Sequence, residues 1–219
     1  MLLVFKQDPK HIDQNNRAQL VNLAPTKALQ DALDELVSSG LVKKDNLNYS
    51  IHRVVQEAVS YVDDDDLQVS FNTACRLVYE QFPKTDGDSQ LFGNWTVCAE
   101  YIAHGVYLSK KFVDLVRSGR VKGSRPFVKL LSNCSQYLYE SGDFATTEKV
   151  LESAHLACDD KNSLLFANLR NLSGARSFDL NRLADCRKAW GDALKIRKAL
   201  LPGDAAQGMF FLLPWNTVL

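Results

Sequence analysis

Hydrophobic residues recur every three to four positions over most of this chain, which is the spacing of amphipathic helices. The pattern predicts helices over about 26–39, 67–82 and 95–116, and a further helix that begins near Arg53. Gly40 follows the first of these stretches and is expected to end it, because glycine readily adopts the left-handed conformation found after helices. The chain is therefore predicted to be mainly α-helical.

One short region alternates apolar and polar residues with a period of two, which is typical of strands. The segments 41–44 and 47–51 form such a pair, and Asp45-Asn46 is expected to turn the chain between them. A helix, a hairpin and a second helix in this order predict a small winged-helix domain. His52 and Arg53 then lie where a strand meets a helix N-terminus, a position suited to binding phosphate.

The last third of the chain repeats with a period of about 39 residues. Each copy predicts two helices, with small residues where the helices approach and large residues that fill the gap between them. The pattern resembles tetratricopeptide (TPR) repeats in a slightly long form, and an ordinary helical hairpin bundle is the alternative. The equivalent positions are Gly142 and Asn181, Leu151 and Trp190, and Ala154 and Ala193.

Three domains are predicted from these patterns: a winged-helix-like domain over 1–62, a helical linker domain over 63–122 and TPR-like repeats over 123–219. The fold class is thus mainly α, with a small winged helix followed by a helical bundle and a TPR-like solenoid. The apolar run 209–215 breaks the repeat pattern, since a solenoid normally ends in a polar capping helix. We interpret it as part of a truncated last repeat or as sequence from a faulty gene model.

The charge balance argues against two classes of partner. Lys and Arg together number 26, and so do Asp and Glu, so the chain has no net charge with which to attract nucleic acid or an anionic membrane. The helix over 26–39 is net acidic, which leaves a winged-helix nucleic-acid binder as a minor alternative. No run of 18 apolar residues is present, so we expect no membrane-spanning helix.

Motifs for catalysis or metal binding are also missing from the sequence. It contains no G-x-S-x-G, no Cys/His nucleophile signature and no C-x-x-C spacing. His155 and Cys158 are three residues apart, but two ligands do not make a zinc site, so we predict neither an enzyme nor a metal centre. The five cysteines are far apart and lie mostly within apolar patterns, which predicts buried, reduced thiols in a cytoplasmic protein.

A polar groove on the repeats is the predicted partner-binding site. If Ser135 and Gly174 are equivalent, one face of the first helix of each repeat carries adaptable polar side chains suited to an extended peptide. A simpler interpretation is that these residues are only solvated. The predicted groove residues are Lys129, Ser132, Gln136, Asn168 and Asn171.

Several sequence blocks occur in an order that suggests a family. Residues 36–42 (LVSSGLV) precede 51–56 (IHRVVQ), and Phe82-Pro83, Trp95 and Cys98 follow. The chain in this respect resembles the region after the nucleotide-binding core of fungal NOD-like proteins, in which an NB-ARC core is followed by a winged helix, a helical domain and TPR repeats. The resemblance extends from about residue 5 to residue 200.

The resemblance implies a role for His52. In related signal-transduction ATPases the histidine at this position contacts the β-phosphate of ADP, whereas this chain has no G-x-x-x-x-G-K-[ST] loop and no bound cofactor is expected for it alone. ADP or ATP is implied only for a complete family member with a nucleotide-binding core, upstream or in trans. The function expected is a regulatory, protein-interaction fragment; a free-standing TPR adaptor and a decayed fragment are the alternatives.

Overall fold

The structure, a computed structural model, divides into two compact units, residues 1–63 and 64–219. The helix predicted to begin near Arg53 and the apolar run 209–215 lie outside the described residues. The described part is mainly helical, as the sequence predicts. The division of the chain at residues 122 and 123 stays a prediction. The described residues are 2–4, 27–45, 48–51, 64–85 and 90–201.

The first unit contains one described helix and three short strands. Helix α1 (Lys27–Ser38) is followed by β2 (Val42–Asp45) and β3 (Asn48–Ile51), so the predicted helix and hairpin are confirmed. Gly40 has a φ of +72°, and its N–H bonds to the carbonyl of Val37, so it ends α1 as predicted.

A third strand completes the sheet, and the sequence pattern did not predict it. Strand β1 (Leu2–Val4) pairs antiparallel with β3, which gives the strand order β1-β3-β2. Tyr49 in the central strand is opposite Leu3 on one side and Lys44 on the other. A three-residue apolar segment has too few positions to show a period of two, so pattern alone does not distinguish it from an irregular terminus.

The second unit begins with two long helices. The first of them, helix α2, spans Asp64–Gln81. A short 3-10 turn (Phe92–Asn94) leads directly into α3 (Trp95–Arg117). Both helices agree closely with the predicted ranges.

Four further helices form two consecutive hairpins. The first hairpin consists of α4 (Arg125–Glu140) and α5 (Phe144–Ala157). The second consists of α6 (Leu164–Asp179) and α7 (Leu183–Leu200). Helix α4 packs against α5 and α6 against α7, and α6 also contacts both helices of the first hairpin.

The turns inside the two hairpins have the same geometry. Gly142 has a φ of +81°, and the equivalent Asn181 has a φ of +56°. Both residues occupy the left-handed conformation that ends a helix, and asparagine is the non-glycine residue that tolerates it best. The period of 39 residues and its pairing of these positions are therefore confirmed.

A common apolar core joins α2 and α3 to the first hairpin. Three phenylalanines from different helices meet in it: the ring centroid of Phe71 lies 5.9 Å from that of Phe112 and 5.1 Å from that of Phe127. Each fully buried ring contributes on the order of 2–3 kcal/mol through removal of apolar surface from water. This core fixes the position of α4, whose opposite face remains accessible.

The cysteines are buried, as predicted, and none forms a disulfide. Burial raises the pKa of the Cys98 thiol to about 11, so this thiol is neutral at physiological pH. In the described part of the chain, no helix combines the length and the apolar character needed to cross a membrane.

Candidate partner-binding face

The predicted groove residues of the first hairpin lie on one accessible face of α4. Lys129, Ser132 and Gln136 are half-buried at positions separated by three and four residues, which places them on one side of the helix. Leu130 and Leu131 point into the core and are fully buried. The helix is therefore amphipathic, and its polar side is the one predicted from sequence.

Helix α6 carries the second row of predicted groove residues. Asn168 is exposed and Asn171 is half-buried, three residues further along. Because α4 and α6 pack against each other, the two rows lie on neighbouring helices. We call Lys129, Ser132, Gln136, Asn168 and Asn171 together the polar strip.

Two members of the polar strip also hold the fold together. The side-chain amide of Gln136 donates to a carboxylate oxygen of Glu140 at 2.7 Å. The side-chain oxygen of Asn168 accepts from the guanidinium of Arg197 at 2.8 Å, and Arg197 is only 2% exposed. Asn168 is therefore part of the α6–α7 packing as well as part of the accessible face.

The other members differ in how they are held. Lys129 and Ser132 make no side-chain hydrogen bond or ion pair within the described part of the chain. The backbone carbonyl of Asn171 accepts the indole N–H of Trp190 at 3.1 Å, and the residue as a whole is half-buried. The strip thus keeps an ammonium, a hydroxyl and an amide for contacts with another molecule.

Glu140 organises one end of α4, and sequence reasoning missed it. Its carboxylate accepts the backbone N–H of Leu91, with both oxygens at 3.0 Å, and the indole N–H of Trp95 at 3.2 Å. Trp95 in turn meets Tyr137 edge to face, with ring centroids 6.2 Å apart and an interplanar angle of 87°. These partners are more than 40 residues apart in sequence, so no local spacing shows them.

A buried arginine links the two hairpins. The guanidinium of Arg176 donates to the carbonyl of Phe144 at 3.2 Å and to the carboxylate of Glu148 at 2.5 Å. Arg182 adds a longer, more exposed contact to the same carboxylate at 3.5 Å. This network satisfies a buried charge and fixes α6 against α5, which is a structural role.

His155 lies at the same junction between hairpins. Its Nε2 is 3.0 Å from the hydroxyl of Ser173, and its ring meets Phe166 edge to face. Burial, together with the positive charges of Arg170 and Lys161, lowers the pKa of His155 to about 4. A neutral imidazole packed in this way stabilises the helix interface.

His52 and Arg53, the predicted nucleotide-sensing residues, lie outside the described residues; β3 ends at Ile51, immediately before them. Among the residues that the structure describes, no three His, Cys, Asp or Glu side chains come together as metal ligands would.

No protein-family model, no curated protein and no solved structure matches this chain.

Proposed function

We propose that this chain is a non-catalytic protein-interaction module and that its polar strip binds an extended segment of a partner protein. The observation that carries the proposal is the tandem arrangement of two helical hairpins with equivalent left-handed turns at Gly142 and Asn181. In TPR-like stacking the first helices of successive repeats lie side by side, as α4 and α6 do. Their accessible faces then form one continuous surface.

The chemistry of the strip suits an extended peptide. Hydroxyl and amide side chains on a rigid helical scaffold donate to and accept from an unpaired peptide backbone. From Lys129 to Gln136 the strip is about 10 Å long at the helical rise of 1.5 Å per residue. That length matches about three residues of extended chain.

The first unit supports the remainder of the proposed architecture. A helix followed by an antiparallel hairpin, with β1 added to the central strand, is compatible with a winged helix. A winged helix followed by a helical domain and TPR-like repeats would place the chain after a nucleotide-binding core, as the resemblance implies. In this proposal the first unit regulates the nucleotide-binding core, and the second unit binds the partner protein.

Selection of peptides tests the binding proposal directly. Random dodecapeptides displayed on phage are selected on the immobilised full chain, and enriched peptides are measured by fluorescence anisotropy. Lys129→Ala combined with Asn171→Ala is expected to weaken an enriched peptide at least tenfold, because both changes remove polar groups from the strip.

A matched control uses exposed residues on the last helix. Lys188→Ala combined with Lys195→Ala removes two exposed lysines from α7 and should leave the affinity within a factor of two. Equal affinity of the strip variant and the wild-type chain, or no enriched peptide at all, would overturn the proposal.

A link to nucleotide is the second candidate function. It rests on the position of His52 and Arg53 directly after the central strand of a small sheet, where a strand leads into a predicted helix. An imidazole there would donate a hydrogen bond to the β-phosphate of ADP held by a core upstream or in trans. The regulatory role then consists of stabilising the ADP-bound state of that core.

Mapping the transcript upstream of the codon for Met1 tests this second candidate. We expect a continuous reading frame that encodes a G-x-x-x-x-G-K-[ST] loop, and His52→Ala in the encoded longer protein should raise the ADP off-rate several-fold. An upstream frame without that loop, or an unchanged off-rate, would favour the free-standing adaptor.

A further inference from the structure

Exposed aromatic residues adjoin the polar strip at the C-terminal end of α4. Phe92 is 66% exposed and Trp95 is 39% exposed, although aromatic side chains of this size are usually well buried. Tyr137 lies beside Trp95 and belongs to α4, one position after Gln136 of the strip. We call Trp95, Tyr137 and Glu140 the aromatic corner.

The rings of the aromatic corner are held in place. The indole N–H of Trp95 donates to Glu140, and Glu140 also accepts the N–H of Leu91 and the amide of Gln136. The ring planes of Trp95 and Tyr137 are almost perpendicular, at 87°, so they form two walls. A half-exposed tryptophan with its only polar atom already satisfied offers its ring, and not its N–H, to another molecule.

The acidic groups of the corner outnumber the basic ones. The two segments that build it, 90–109 and 130–148, contain no lysine or arginine. Their acids are Glu100, Glu140, Asp143 and Glu148, of which Glu148 is paired with Arg176 and Arg182. The one histidine in them, His104, is buried, and burial lowers its pKa, so it adds no positive charge at neutral pH. The nearest lysine along α4, Lys129, is eleven residues from Glu140, or roughly 16 Å along the helix.

These features favour a cationic ligand. The negative face of an aromatic ring attracts a cation within about 6 Å of its centroid, most strongly for tryptophan. The carboxylate of Glu140 lies against the edge of the Trp95 ring and adds a full negative charge, and the C-terminal end of α4 adds the negative end of its dipole. An anionic or acidic segment would be repelled from the same place.

We propose that the aromatic corner binds the side chain of a lysine in the partner segment that lies along the polar strip. This inference rests on the proposed function and adds to it the class of partner: a basic peptide whose lysine lies at the Glu140 end of α4. The lysine stem packs on the rings while its ammonium group faces Glu140. The strip then holds the backbone on one side of that lysine.

Nuclear magnetic resonance of the tryptophan indoles tests the inference on the full chain. The probes are the pentapeptide Ac-Gly-Ser-Lys-Ser-Gly-NH2 and the same peptide with norleucine, which has a similar stem and no charge. The Trp95 indole resonance, assigned through Trp95→Phe, is expected to move in a saturable manner with the lysine peptide at millimolar concentration. The Trp190 resonance should not move, since Trp190 is buried.

Charge removal provides the second arm of the test. Glu140→Gln should weaken the lysine peptide at least threefold, whereas Glu152→Gln, at an exposed acid on α5, should change its affinity less than twofold. If Glu140→Gln disturbs the fold, as an altered Trp190 resonance would show, Tyr137→Leu removes one wall and should give the same loss. A Trp95 shift that is absent, or equal for lysine and norleucine peptides, overturns the inference.

The result separates the inference from the function on which it rests. If lysine and norleucine peptides act alike but phage-selected peptides still depend on Lys129 and Asn171, the inference fails and the proposed function stands. If the strip variant binds selected peptides as well as the wild-type chain, the proposed function fails, and a cation-dependent Trp95 shift would then define a site independent of the strip.

Discussion

The two helical hairpins of the second unit share one plan but are stabilised differently. The first hairpin shares an apolar core with α2 and α3, and Leu151 fills the position where its helices meet. The second places Trp190 against Gly174 at the equivalent position and buries two arginines, Arg176 and Arg197. The same turn geometry can therefore be supported by apolar contact with neighbours or by one aromatic residue and buried, hydrogen-bonded arginines.

This difference predicts where each hairpin is vulnerable. The first hairpin is covered on both sides by other helices, whereas α7 packs chiefly on α6. Loss of one contact in the first hairpin should therefore affect the whole unit. Loss of the equivalent contact in the second should release α6 and α7 alone, because stacked repeats depend mainly on their nearest neighbours.

Replacement of Trp190 and Leu151, the equivalent residues where the two helices of each hairpin meet, should lower the free energy of unfolding most. Trp190→Ala is expected to cost about 3–5 kcal/mol and Leu151→Ala about 2–5 kcal/mol, since each leaves a cavity. In hydrogen exchange, Trp190→Ala should lose protection only in α6 and α7, and Leu151→Ala should lose it throughout residues 64–201. The same exchange pattern in both variants would contradict the proposed difference.

Addition of a single methyl group at Gly174, where α6 meets Trp190 of α7, should cause the next largest loss of stability. A Cβ at Gly174 would lie 2.3 Å from Cδ1 of Trp190, so Gly174→Ala must displace the indole and its hydrogen bond to Asn171. We expect a loss of about 2–3 kcal/mol in urea unfolding. Ser135→Ala, at the equivalent position in α4, should be almost neutral, because the Ser135 hydroxyl is buried without a partner in the described structure.

Acid should weaken the junction between hairpins through His155. Its pKa is lowered from 6.5 to about 4 in the folded chain, so the unfolded chain binds more protons between these values and stability falls as pH falls. Between pH 6.5 and pH 5 the loss from this group is about 2 kcal/mol. His155→Gln keeps a group that can bond to Ser173 and should remove this part of the pH dependence; an unchanged slope of unfolding free energy against pH would be inconsistent with it.

Substitutions at the turn residues Gly142 and Asn181 should change the stability least, and the two changes should have opposite signs. Gly142→Ala puts a side chain on a residue with a φ of +81° and should cost about 1 kcal/mol, since a Cβ there has no neighbour within 4 Å and only the backbone is strained. Asn181→Gly removes a similar strain and should be neutral or slightly stabilising. Thermal unfolding of the two variants checks both signs.

Helices and repeats were predictable because their signals are local. The period of apolar residues identified α2, α3 and the two hairpins, and pairing Gly142 with Asn181 needed only equal spacing and knowledge of which residues tolerate positive φ. Strand β1 was missed because its partner, β3, lies 46 residues further along the chain. A pairing of that separation leaves no trace in a short window of sequence.

The candidate site was predicted only in part, for the same reason. Helical spacing was enough to place Lys129, Ser132 and Gln136 on the accessible side of α4. It did not show that Asn168 holds a buried arginine or that Glu140 fixes Trp95, because those contacts join residues 29 and 45 positions apart. Long-range hydrogen bonds depend on the packed fold, which no local pattern specifies.

The most direct test of the central claim is to map a selected peptide onto the full chain by amide chemical shifts. We expect the largest shifts on the accessible faces of α4 and α6, around Ser132 and Asn171, with smaller changes on α5 and α7. Shifts confined to the first unit, or to α7, would contradict the claim that the polar strip is the binding face.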